Sequence, residues 1–170
     1  YLRKKDMEDD FRSAASAGLG LLFCILATTT GSLWAKFNWG SFWNWDPRET
    51  SIVILLMIYG AYFALRSAVP DPEKRRVFAA VYSILAFATV PFLVFVVPRI
   101  TASLHPEDTM NPAKPGMDPK TLKVFLGSLI AYTGLFVWML KLRLRLLKLE
   151  HLREPGYIIN EKTNLEGEKR

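Results

Sequence analysis

Four long apolar blocks, separated by short stretches that hold almost all of the charge, decide what this chain can fold into. Residues 13–33 contain no Asp, Glu, Lys or Arg. At about 1.5 Å of rise per residue, such a block crosses about 30 Å of hydrocarbon as a helix. Blocks of similar character run over 47–65, 77–97 and 122–140. The chain is 51% hydrophobic and yet 22% charged, and it is this uneven distribution that marks a membrane protein. The predicted fold is therefore all-α: a polytopic integral membrane bundle with four transmembrane helices. The net charge of +6 does not argue for nucleic acid, because the Lys and Arg lie at the ends of the apolar blocks, where they report topology. Membrane lipid is the expected surrounding, and nucleic acid is not an expected partner.

Local signals set the boundaries. Residues 1–12 read as a solvated lead-in. Ala14, Ala15, Ala17, Gly18 and Gly20 give the first span a surface for close helix contact in lipid. Asp46-Pro47-Arg48-Glu49 writes a helix start, with Asp46 as N-cap, Pro47 at the first helical position and Glu49 completing a capping box. Val69-Pro70-Asp71-Pro72 is a turn. Pro91 lies inside the third span and should kink it or free a carbonyl. The prolines at 106, 112, 115 and 119, with Gly116, predict an irregular loop over 99–121. The bundle is expected over 1–150, with residues 151–170 as a charged, disordered tail on the cytoplasmic side. Cys24 is the single cysteine, so no disulfide forms within the chain.

Charge also orients the bundle. Four spans put both ends on one side. That side carries Arg3, Lys4, Lys5, Arg12, Arg66, Lys74, Arg75, Arg76 and the basic run from Lys141 to Lys148. The first outer loop has only Lys36 and Arg48, and the second has Arg99, Lys114, Lys120 and Lys123. The richer side is cytoplasmic by the positive-inside rule. The connector at 34–50 and His105 then share the extracytoplasmic face.

That connector holds Trp34, Phe37, Trp39, Gly40, Phe42, Trp43, Trp45, Asp46 and Arg48. Aromatic faces suit a flat apolar ligand, and an imidazole suits a haem iron. His105 is the one His on the outer face and the candidate axial ligand. Arg48 or Arg99 can pair with propionates. On residues alone, plainer readings stand beside these. The tryptophans can form an interfacial belt, Arg48 can be an interface anchor, and His105 can be a solvated loop residue. Asp46 and Glu49 read first as caps. Tyr59, Tyr62 and Trp138 read as packing or belt residues, and His151 as solvated.

The pattern Trp39-Gly40-x-x-Trp43-x-Trp45-Asp46-x-Arg48-x-Thr50 closely resembles the WWD motif of the haem-handling proteins of cytochrome c maturation, the CcmC/CcsA group. Gly31-Ser32-Leu33-Trp34 and Ser103-Leu104-His105-Pro106 resemble that family too. The resemblance implies a protein of the bacterial inner membrane that holds haem b at its outer surface, on the Trp loop, with His105 as an axial ligand to the iron. It implies as partners a periplasmic haem chaperone, to which the haem passes, and the ABC-transporter subunits of the maturation system. The Asp-Pro-Arg-Glu-Thr spelling leans toward CcsA and the short chain toward CcmC. The family's further outer His, one loop upstream, has no counterpart here, so the second axial ligand is expected before residue 1. Many CcmC members carry aromatics before the downstream His, where this chain has Arg99-Ile100-Thr101-Ala102.

The expected action is binding and release, without bond chemistry. One alternative is a CcsA-type subunit of a haem–apocytochrome c synthase. Another is a structural membrane subunit of a redox complex.

Overall fold

The computed structural model describes residues 1–105 and 118–153, with only the backbone described for Arg99. The loop prolines at 106, 112 and 115, and the tail beyond 153, lie outside the described residues. Helix α1 spans Met7–Trp39, α2 Pro47–Ala68 and α3 Pro72–Pro91. A π-helical turn, Phe92–Val96, leads into the short α4, Val97–Ile100, and α5 spans Pro119–Leu152. Four helices, with α3 and the π turn counted together, are long and apolar enough to cross a membrane. The chain is a multi-pass membrane protein, with no strand among the described residues.

The helices run further than the apolar blocks. Asp6 caps α1 by accepting the Glu8 amide at 2.9 Å. The expected lead-in is thus partly the first turns of α1. At its other end α1 runs through Trp34 and Trp39 and stops at Gly40, whose φ of 80° is left-handed and whose N–H donates to the Lys36 carbonyl. Only glycine takes that conformation without strain, so it ends the helix where aromatic residues do not. Pro119 occupies the first turn of α5 instead of breaking the loop, behind the Asp118 cap. The same helix continues through His151 and Leu152, and the His151 ring lies 5.7 Å from Phe11.

Pro91 acts through the turn that follows it. A proline inside a helix removes one hydrogen bond and crowds the preceding turn. The chain widens after it, and the Val97 N–H donates to the Phe92 carbonyl. This π turn re-aims α4 and the segment 101–105 beyond it.

Helix α1 packs on α2, α3 and α5, and α2 packs on α3, α4 and the π turn. Gly20 lets α2 come close, since a Cβ there would lie 2.5 Å from the Tyr59 hydroxyl. Few side chains are buried, and none of α5's. Most of the large apolar side chains face outward, as lipid contact requires.

A polar clamp closes the end of the bundle away from the aromatic loop. Arg66 of α2 donates to both carboxylate oxygens of Asp10 in α1, at 2.6 and 2.9 Å. It also donates to the Tyr62 hydroxyl at 3.3 Å. Ser13 of α1 lies 3.3 Å from that hydroxyl and 3.2 Å from Ser83 of α3, which joins three helices. Removing one partner of a buried ion pair strands the other charge. Arg66→Ala is therefore expected to destabilise the bundle by about 3–5 kcal/mol in SDS titration, whereas the double variant Asp10→Leu, Arg66→Met recovers most of that loss.

Candidate functional site

The Trp-rich connector and the segment after α4 meet at one carboxylate. Asp46 is buried at the start of α2, where it caps the helix by accepting the Arg48 N–H on Oδ1 at 2.9 Å. Its Oδ2 accepts the Ser103 hydroxyl at 2.8 Å and the Leu104 N–H at 2.7 Å. His105 Nδ1 lies 2.9 Å from Oδ1. The capping reading and the site reading of Asp46 both hold. Burial pushes its carboxyl up. The Arg48 amide, the Ser103 hydroxyl, the Leu104 amide and His105 together outweigh that and hold it below the usual carboxylate value.

Glu49 fixes the loop from the other side. Its Oε2 accepts the amides of Asn44 at 2.8 Å and Asp46 at 3.2 Å, completing the capping box. Between these two amides stands Trp45 with φ of 55°. A bulky residue in the left-handed region is strained, and Glu49 clamps the backbone on both sides of it. The result is an indole that is 76% exposed and meets Trp43 edge-on at 5.9 Å. The other oxygen of Glu49 is buried with no hydrogen-bond partner among the described residues.

The indoles and the imidazole converge. Trp39 lies edge-on to His105 at 4.7 Å, and Trp34 lies nearly parallel to it at 6.0 Å. Trp34 and Trp39 are edge-on to each other at 5.0 Å. Trp34, Trp39, Trp43, Arg48, Glu49 and His105 line one hollow of about 120 Å³, floored by Thr28, Gly31, Ser32 and Ile52. The Arg48 guanidinium has no ion pair among the described residues.

The remaining predicted residues lie at the edge. Gly40 acts as the α1 cap, and its carbonyl accepts from Lys36 Nζ at 2.8 Å. Phe42 is exposed, with the Lys36 ammonium 5.4 Å from its ring centre. Arg99 belongs to α4, and its side chain lies outside the described set. Sequence reasoning missed the floor of the hollow, although Thr28, Gly31 and Ser32 recur at helical spacing on one face of α1. It also missed the anchoring role of Ser103 and the Leu104 amide.

An enclosed pocket for a small molecule holds about 300–1,000 Å³. This hollow is smaller, so a porphyrin would lie across the exposed indoles and not inside them. The residues fit such a disc: flat apolar faces, a guanidinium with no ion pair among the described residues, and an imidazole with one nitrogen on Asp46. Among the described residues no group of three or more His, Cys, Asp or Glu could hold a bare metal ion.

Comparison with known proteins points the same way. Residues 4–155 match the family described as Heme exporter protein C. The chain is 36% identical over 128 residues to Heme exporter protein C of Bradyrhizobium diazoefficiens, covering 75% of this chain and 49% of that protein. It is 30% identical over 132 residues to Heme exporter protein C of Haemophilus influenzae, covering 78% of this chain and 54% of that protein. It is also 30% identical over 96 residues to the cytochrome c biogenesis protein CcsA of Arabidopsis thaliana, covering 56% and 28%. The chain thus spans about half the length of the two exporter relatives.

The depressed Asp46 value fixes the sign of a pH effect. Its stabilisation of the joined loops is complete above the ordinary Asp value, about 3.9, and is lost as the pH falls through the lower folded value. The part of the loop tryptophan fluorescence that reports this junction should change only below about 4. Asp46→Ala should remove that transition and show the acid-state spectrum already at neutral pH.

Proposed function

The chain belongs to the Heme exporter protein C family, and we propose that it holds haem b at the outer surface of the bacterial inner membrane and releases it to a periplasmic haem chaperone. The observation that carries this reading is the convergence of Trp34, Trp39, Trp43, Arg48 and His105 on one hollow at one end of the bundle. These residues come from α1, the first outer loop, α2 and the segment after α4. A shared ligand would give such distant positions a common purpose.

Each group has a part. The indoles of Trp34, Trp39, Trp43 and Trp45 offer apolar surface to a porphyrin face. Arg48 offers a guanidinium group to a propionate, and Arg99 is the second candidate that the sequence supplies. His105 offers an imidazole nitrogen to the iron, and the haem, as cargo, supplies the iron that is later placed in cytochrome c. No bond chemistry is asked of these residues. The hollow leaves much of a disc uncovered, so a partner can approach from the free side and displace His105. The ABC-transporter subunits of the maturation system would supply the energy for release. The basic residues favour a cytoplasmic position for the end that carries Arg3–Lys5, Arg66 and Lys148. The Lys148–Glu8 ion pair at 3.2 Å supports placing the end of α5 beside the start of α1.

The similarity to the Arabidopsis CcsA favours one other reading, a subunit of a synthase that attaches haem to apocytochrome c. Coexpression with an apocytochrome, scored for covalent haem, separates the two.

Full-length protein purified in detergent should show a Soret band. His105→Ala should weaken haem retention more than any other single change at the site, as loss of an iron ligand requires. Trp43→Ala and Arg48→Ala should each lower affinity without abolishing it. A full-length protein that neither copurifies with haem nor takes it up would overturn the proposal.

A further inference from the structure

We propose that Asp46 is the positioning residue of His105: it fixes the imidazole proton on Nδ1 and so assigns Nε2 as the iron-binding nitrogen. This inference rests on the haem-binding reading above for its use, though the tautomer itself does not.

Counting donors and acceptors carries it. Asp46 makes two contacts on each oxygen: Arg48 N–H and His105 Nδ1 on Oδ1, Ser103 O–H and Leu104 N–H on Oδ2. An ionised carboxylate only accepts, with about four lone-pair sites. Three of its four neighbours are donors, and the carboxylate has no proton to give to the fourth. At 2.9 Å from Oδ1, Nδ1 must therefore carry the proton itself. Ser103 cannot supply it, because its Oγ is 3.4 Å from Nδ1 and only 2.8 Å from Oδ2, where its hydrogen is used. Its Oγ instead accepts the His105 N–H at 3.1 Å. With Nδ1–H committed, Nε2 keeps its lone pair.

The ring is also held in place. Trp39 meets it edge-on, Trp34 lies nearly parallel, and the Ser103–Leu104 backbone is tied to the same carboxylate. A carboxylate on the far nitrogen makes the imidazole a stronger donor to a metal and favours the more charged iron. No other side chain of that size replaces it. In Asp46→Asn the new amide could still cap α2, since Asn caps as well as Asp. Its single carbonyl oxygen cannot serve all four contacts, and its NH₂ would face a donor on one side.

The test uses full-length protein with ¹⁵N-labelled histidine, and His151→Gln assigns the signals. In the haem-free protein at about pH 8.5, His105 should show the Nδ1–H tautomer, and Asp46→Asn should shift it toward Nε2–H. With haem bound, Asp46→Asn should release haem about 10–100-fold faster and raise the reduction potential. Ser103→Ala loosens the same loop and removes at Nδ1 only the long 3.4 Å approach, leaving the Asp46 contact in place, and should leave the tautomer unchanged. An Nε2–H tautomer in the parent protein, or no difference between parent and Asp46→Asn, would overturn the inference. An Nδ1–H tautomer in a protein that never binds haem would uphold it and refute the function instead.

Discussion

One buried carboxylate joins the start of α2 to a segment nearly sixty residues later, and the aromatic end of the bundle depends on that junction. Without Asp46 the His105 segment would be held to the aromatic end mainly by its ring contacts with Trp34 and Trp39. With it, the Arg48 and Leu104 amides, the Ser103 hydroxyl and the His105 ring share one anchor. The group is small, ionised and saturated. Those properties let it be buried, because each of its lone pairs has a donor and its desolvation is offset.

The aromatic loop holds backbone strain beside its most exposed indole. Trp45 stands in the left-handed region, and Glu49 grips the amides before and after it. The indole is thrown outward in consequence. A capping box is usually described as a way to satisfy the first amides of a helix. Here it also sets the direction of an exposed aromatic residue.

The spans, their order and the meeting of the Trp-rich connector with the His105 segment at one end of the bundle were legible in the sequence, because each follows from the order of apolar and charged stretches. The α2 start was legible too, since Asp46-Pro47-Arg48-Glu49 carries a local signature. Other features left no such mark. The helix runs through Trp34 and Trp39 because only Gly40 stops it, and an aromatic run looks the same as helix or loop. Pro91 announced a disturbance without saying that it would become a wide turn. The second role of Asp46 was hidden for a physical reason. A carboxylate that caps its own helix and one that also reaches a distant imidazole have the same local sequence. The floor of the hollow was nearly visible, as Thr28, Gly31 and Ser32 share a helical face.

The two ends of the bundle divide the work. At one end the Asp10–Arg66 pair and the Tyr62, Ser13 and Ser83 hydroxyls bind α1, α2 and α3 together. The aromatic end is then free of that duty and can stay shallow. A deep, enclosed pocket would bind a porphyrin on both faces and hold it. A hollow of about 120 Å³, lined by the exposed Trp34 and the half-buried Trp39 and Trp43, would contact mainly one face. Under the proposed function this limits affinity by geometry and leaves the other face to a partner. A firm anchor for the imidazole then matters more, because the iron bond must supply the fixed position that the shallow surface does not.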